Sequence, residues 1–325
     1  MRKLSTVVLF SMLGLLLFSC VTSAASIADQ WAGTKHNAVN LGEITDNSPI
    51  MRDRCITCHD GEAFANKVSV RADLPAAVKD QPNGIDCGTC HGSRAQQIMK
   101  SGTTDPLDNG FQVKGAGAGA LCISCHNGRK LADPVKTPSP HSSAQFDVLF
   151  AAGGARVSGE AYPSSPHGAN PDTCVSCHMA EYEGLVNHTF EVFNTPEYVE
   201  QACGSCHPGL DTVNRISLAD YDGNRVVEGF QDEIKGLLAL LQEAVDAKQK
   251  ELGIKAGSSH GALVFTNATG ETIPAPVALY NAHFNIALIE NDGSFGIHNP
   301  AYAVALLQKS YKGLTGQDVP NAVLR

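Results

Sequence analysis

One five-residue phrase, Cys-x-x-Cys-His, occurs five times in the chain: Cys55–Cys58–His59, Cys87–Cys90–His91, Cys122–Cys125–His126, Cys174–Cys177–His178 and Cys203–Cys206–His207. The chain has 11 cysteines, and apart from Cys20 every one belongs to such a phrase. Two thiols separated by two residues in a tight helical turn lie along one edge of a porphyrin. Each can then add to one of two neighbouring vinyl groups. The histidine that follows falls under the iron as its proximal ligand, which makes the phrase a c-type haem attachment signal. Five disulfides would use the same cysteines but give no reason for a histidine after every second one. Zinc held by pairs of Cys-x-x-Cys would leave one of five pairs without a partner. The cofactors implied are five c-type haems, each with its iron.

Five irons also need ligands on their far sides. Outside the phrases stand His36, His141, His167, His188, His260, His283 and His298, while methionine offers only Met51, Met99 and Met179 beyond the N-terminal segment. The expectation is bis-histidine ligation, which sets lower potentials than histidine–methionine ligation. The distal set expected is His36, His141, His167, His188 and His298. His36 follows the only tryptophan, in "WAGTKHNAV", on what reads as a short helix. His141 follows a proline-broken loop and opens a helix, and His167 lies in the extended, proline-flanked "PSSPHGANPDTC". His188 stands just beyond the fourth phrase. His298 precedes Asn299 and Pro300, a capping residue and a first-turn proline that fix a helix start. His260 lies in the loop "GSSHG" and His283 on a helix, and both are set aside.

The elements around these residues read as mostly α with extensive loops, organised around the haems, with helices at the C-terminus. Residues 1–25 read as a secretory signal peptide: a charged start, then "VVLFSMLGLLLFS", too short to span a membrane. Cleavage falls either before Cys20, leaving a lipidated membrane tether, or after Ala25. Residues 26–210 carry all five phrases. Residues 211–325 carry none and read as a helical region packed on the haem core. There Phe230, Ile234, Leu237, Leu241, Val245 and Leu252 recur at helical spacing, and Gly253 ends the run. Residues 276–290 and 300–312 read as two further helices, and 261–276 as a hairpin turning near Asn267–Gly270. "GAGAGA" at 115–120 matches a dinucleotide fingerprint but follows no strand and reads as a loop. Aromatic residues make up only 6% of the chain, so the porphyrins are expected to fill the interior that large rings elsewhere fill. A net charge of −9 excludes a nucleic-acid binder and suits a basic redox protein partner.

"CVSCHM" followed by "NHTF", the "W…KH" near the start and "DGSFGIHNPAYAVALL" near the end resemble a broad superfamily, over roughly residues 31–312. It comprises pentahaem nitrite reductase, octahaem hydroxylamine oxidoreductase and their electron-transfer relatives. The resemblance implies that His188 and His298 are distal ligands. The chain departs from the nitrite reductases in having no lysine in place of a proximal histidine, and their catalytic Arg, Tyr and His find no match. The expected function is therefore electron transfer through bis-histidine haems in the bacterial cell envelope, in anaerobic respiration, with no catalytic residue assigned. The protein would be exported, to the periplasm, the outer membrane or the outside of the cell. Two alternatives stand beside this. One is a nitrite- or hydroxylamine-type reductase with one open haem. The other is a homo-oligomer or filament in which His36 or His283 ligates a haem of the next subunit.

Overall fold

The computed structural model describes residues 26–259 and 261–325. The expected signal peptide, with Cys20, and His260 lie outside the described residues. The chain is mostly helical with long loops and few strands. Its N-terminal part is a string of short helices and turns, among them Ile27–Ala32, Ile56–His59, Gly61–Asn66, Cys87–His91, Ser93–Ser101, Gly119–Ile123, Cys174–His178 and Pro196–Cys203. Three long helices follow, Phe230–Leu252, Val277–Asp292 and Pro300–Thr315, and all three pack on one another.

The long helices form where the apolar spacing demands them. Phe230–Leu252 buries Phe230, Ile234, Leu237, Leu238, Leu241 and Val245 along one stripe, and Gly253 closes it in the left-handed conformation. Leu252, expected on that stripe, is exposed, because the last turn runs past the core. Val277–Asp292 is buried on nearly every side. In Pro300–Thr315 the run Tyr302–Leu307 is entirely out of solvent. These helices supply most of the largest apolar core, joined by Ala144, Val148 and Ala155 from the loop-rich part. Among the described residues two smaller clusters lie elsewhere, around Phe64 and Ile123 and around Ile56 and Leu74. Protein side chains thus concentrate their packing in the C-terminal region, and the cysteine-rich half has little apolar core of its own.

Two small sheets complete the described fold. Lys255–Ser259, Ala262–Thr266 and Thr272–Ile273 form an antiparallel sheet in that order. The turn at 267–271 falls where the sequence reads one, and the Lys255–Ser259 strand is additional. Glu181–Tyr182 pairs with Leu185–Val186 through a two-residue turn at Glu183 and Gly184, both with positive φ. That is the geometry favoured for tight hairpins. Residues 115–118 are loop, and the last two residues of the 115–120 segment begin the helix Gly119–Ile123.

Candidate haem centres

Each Cys-x-x-Cys-His phrase sits in one helical turn. Cys87–His91 and Cys174–His178 are helices of just those residues. In the other three the histidine N–H donates to the carbonyl of the first cysteine: His59 to Cys55 at 3.1 Å, His126 to Cys122 at 2.8 Å and His207 to Cys203 at 2.8 Å. The turn puts both thiols and the imidazole on one side. None of the ten cysteines is in a disulfide.

Opposite each proximal imidazole stands one of the five expected distal histidines. Ring centres are 6.2 Å apart for His36 and His126, 6.3 Å for His141 and His59, and 6.4 Å for His188 and His91. They are 6.1 Å apart for His167 and His207 and 6.0 Å for His298 and His178. A first-row metal sits about 2 Å from an imidazole nitrogen, and roughly 1 Å more separates that nitrogen from its ring centre, so two imidazoles on one metal have centres about 6 Å apart. All five pairs have that spacing. His283 does not join them: it packs against the Phe265 ring at 5.9 Å, with Nε2 buried and unpartnered.

The far nitrogens add a second regularity. A ligating histidine commonly donates its other N–H to an oxygen, which fixes tautomer and ring orientation. Nδ1 of His126 pairs with Gln145 Oε1 (3.2 Å) and that of His141 with Ser143 Oγ (2.9 Å). His167 pairs with the Ile297 carbonyl, His178 with that of Phe190 and His188 with that of Val186, each at 2.8 Å. His298 pairs with the Asp292 carboxylate at 2.5 Å. In these six, Nε2 is left for iron. Nδ1 of His36 is buried without a partner.

Loops and caps do the positioning. His36 lies in a turn, not the short helix expected, because Asn37 caps the next 3₁₀ turn and ends the preceding structure. Its carbonyl accepts from Ile85 N–H (2.8 Å), and a Cβ on Gly84 would stand 2.2 Å from that carbonyl. The second phrase is thereby tied to the N-terminal segment, as it is by the Trp31 indole N–H donating to the Ile85 carbonyl. His141 lies in the loop before Gln145–Leu149, four residues short of the helix it was expected to open. His167 lies in the 3₁₀ turn Pro166–Ala169 in place of the extended segment expected, because Pro166 begins that turn. His188 follows the small hairpin, and its N–H donates to Gln30 Oε1 (2.8 Å). His298 stands at a helix start as read: Asn299 caps Tyr302 N–H, and Pro300 opens the helix. Asn299 caps as the sequence reads it, whereas sequence reasoning missed Asp292 as a support of His298. Asp292 lies six residues before it but carries no motif.

Burial pushes the imidazoles of His36 and His141 down to about 4. It also lowers His59, His126, His178 and His207. Low basicity keeps these rings neutral, the form that binds metal. His298 goes the other way: burial opposes its charge, but the Asp292 carboxylate outweighs burial and raises it.

The phrases are contiguous. The Cys58 thiol meets that of Cys125, and Cys122 meets Cys174, so the third phrase touches the first and the fourth. A Cβ on Gly119 would stand 1.8 Å from Thr173 Oγ1; glycine there lets the third and fourth phrases close up. The Phe190 ring lies between His36 (4.9 Å) and His188 (6.1 Å), distal partners of the third and second phrases. Tyr198 O–H donates to the Cys177 carbonyl (2.8 Å) from the helix that ends in the fifth phrase.

The fold has a counterpart among solved structures, the outer cell wall cytochrome OcwA. The TM-score is 0.54 and the identity 23%, over 89% of this chain and 50% of that one. The fold is shared with a cytochrome. This chain spans half the length of that structure. No family model matches the sequence, and no curated protein does.

Proposed function

We propose that the protein is an exported pentahaem c-type cytochrome that carries electrons. The observation that carries this reading is the fivefold pairing of imidazoles at 6.0–6.4 Å, each pair containing the histidine of one Cys-x-x-Cys-His phrase. When bound there, haem supplies a one-electron Fe(III)/Fe(II) couple. Cys55, Cys58, Cys87, Cys90, Cys122, Cys125, Cys174, Cys177, Cys203 and Cys206 tether the five groups by thioethers. His59, His91, His126, His178 and His207 ligate from the attachment side. His141, His188, His36, His298 and His167, in that order, ligate from the other. The contacts between phrases keep the sites within one contiguous body, the third at its centre.

A reductase needs an iron with no distal side chain, and the five pairs favour a carrier. A filament joined through His36 is disfavoured by that ring facing His126 of its own chain. The net charge of −9 fits a redox partner with a basic docking face.

The test is haem quantitation with low-temperature EPR of the oxidised protein. Five haems per chain, all low-spin, are expected. A high-spin haem in the native protein, or fewer than five haems, would overturn the reading.

A further inference from the structure

Of the six Nδ1 groups with a hydrogen-bond partner, five meet neutral oxygens: an amide, a hydroxyl and three backbone carbonyls. His298 alone meets a carboxylate. The Asp292 side chain is wholly out of solvent, and its Oδ1 lies 2.5 Å from His298 Nδ1. Its other oxygen accepts from the backbone N–H and hydroxyl of Ser294, and that hydroxyl also accepts from His298 N–H (3.1 Å). Among the described residues no lysine or arginine pairs with Asp292. The carboxylate of Asp147 lies close enough to repel that of Asp292. The Asp292 carboxylate is thus held rigidly, desolvated and uncompensated, one imidazole away from the iron position between His298 and His178.

We propose that Asp292 is a positioning residue that makes the His178/His298 site the lowest-potential site in the molecule. The inference rests on the bis-histidine reading above. A carboxylate accepting from Nδ1 draws that proton toward itself and leaves the ring more electron-rich, so Nε2 is a stronger donor to iron. A stronger donor, with a full negative charge buried nearby, favours Fe(III) over Fe(II) and lowers the potential. Carbonyl, amide and hydroxyl partners do this less, and His36, with no Nδ1 partner, least. Electrons held by the protein would therefore leave this site first and occupy it last.

Two measurements on the holoprotein test this. The first is an EPR-monitored reductive titration of the wild type, with the His178/His298 signal identified as the low-spin signal lost in His298→Ala. That signal should be the last to disappear on reduction; if another outlasts it, the proposal is overturned. The second is the same titration on Asp292→Asn, which keeps the shape and removes the charge. One potential should move upward, that of the same signal, and its g values should shift while the other four stay in place. An unchanged potential, or a shift confined to another signal, overturns the proposal even if five low-spin haems remain and the carrier reading stands. If His298→Ala loses no low-spin signal, the ligand assignment itself fails, and this proposal falls with it.

Discussion

An imidazole becomes a dependable iron ligand when one nitrogen faces the metal and the other is held. In six of the ten paired imidazoles the far nitrogen is held, by groups as ordinary as the Val186 carbonyl and as unusual as Asp292. The sequence offers seven histidines outside the five phrases, and the structure sets five of them opposite phrase histidines. Which ring faces which was not legible. His36 precedes the first phrase in sequence yet lies across from the third, a tertiary fact that no spacing encodes. The relative orientations of the ring pairs give a spectroscopic expectation. The His91 and His188 planes differ by 26°, whereas those of His167 and His207 differ by 89° and those of His36 and His126 by 77°. Near-parallel imidazoles split the iron d orbitals that they overlap, and near-perpendicular ones leave them almost degenerate. Low-temperature EPR should therefore show both a rhombic signal and strongly anisotropic low-spin signals; a spectrum of rhombic signals alone would contradict these geometries. His141→Ala should convert one haem of five to high-spin, with the thioethers and haem count unchanged. Asp147 gives a pH expectation. Burial raises its carboxyl to about 6 from 3.8, against the Gly128 N–H it accepts. The folded chain then keeps a proton that the unfolded chain has released, so this contribution is present below pH 3.8 and lost as the pH rises through 6. Its size is up to roughly 3 kcal/mol at 1.36 kcal/mol per unit. Asp147→Asn should flatten the stability profile between pH 4 and 6 in denaturant titrations and leave the variant more stable than wild type at pH 7.

At the scale of elements, the long helices were the most legible part, because their apolar stripes and terminal glycines follow from helix geometry. The strand Lys255–Ser259 was not, since "KAGSS" has no alternation, and its structure comes from pairing with Ala262–Thr266. The turns holding His36 and His167 were misread for a related reason: short segments take their conformation from the partners they meet. Asn299 shows how an element end can position a site. Its side chain is fully buried, caps Tyr302 N–H, accepts from Ser165 N–H (2.8 Å), and donates to the Leu149 carbonyl (3.1 Å) and Ser164 Oγ (2.8 Å). It therefore joins the start of Pro300–Thr315 to the loop carrying His167, whose Nδ1 meets the Ile297 carbonyl. Asn299→Ala removes the cap, worth about 1 kcal/mol, and strands buried partners at about 1–3 kcal/mol each. A loss of roughly 3 kcal/mol in chemical denaturation is expected, with changed EPR line shapes for the His167/His207 and His178/His298 sites. A change confined to stability would mean that the cap holds the helix without holding the ligands.

For the whole molecule, the distribution of apolar packing divides the chain into unequal parts. The largest cluster joins the three long helices to residues from 144–155, whereas the Phe64 and Ile56 clusters are small. The low aromatic content, 6% of the chain, led to the expectation that porphyrins fill part of the interior. It did not show where. The structure shows that the small apolar clusters lie in the part that carries the cysteines, where loops and four- to nine-residue helices bury little apolar surface to offset their ordering entropy, about 1–2 kcal/mol per residue. Covalently held porphyrins would supply that surface and tie distant loops together. The chain made without haem attachment should consequently lose its two parts separately. Limited proteolysis of the apo-chain should cut first within 33–131, where the long loops and the small clusters lie. Fragments containing 230–315 should persist, and circular dichroism should retain the signal of the three long helices while losing most of the rest. The attached form should resist cleavage throughout the described residues. Equal resistance of both halves in the apo-chain would mean that the N-terminal loops are held by their own hydrogen bonds, such as the Arg71–Asp60 pair and the Trp31–Ile85 tie. The haems would then be guests in a preformed frame and not its core.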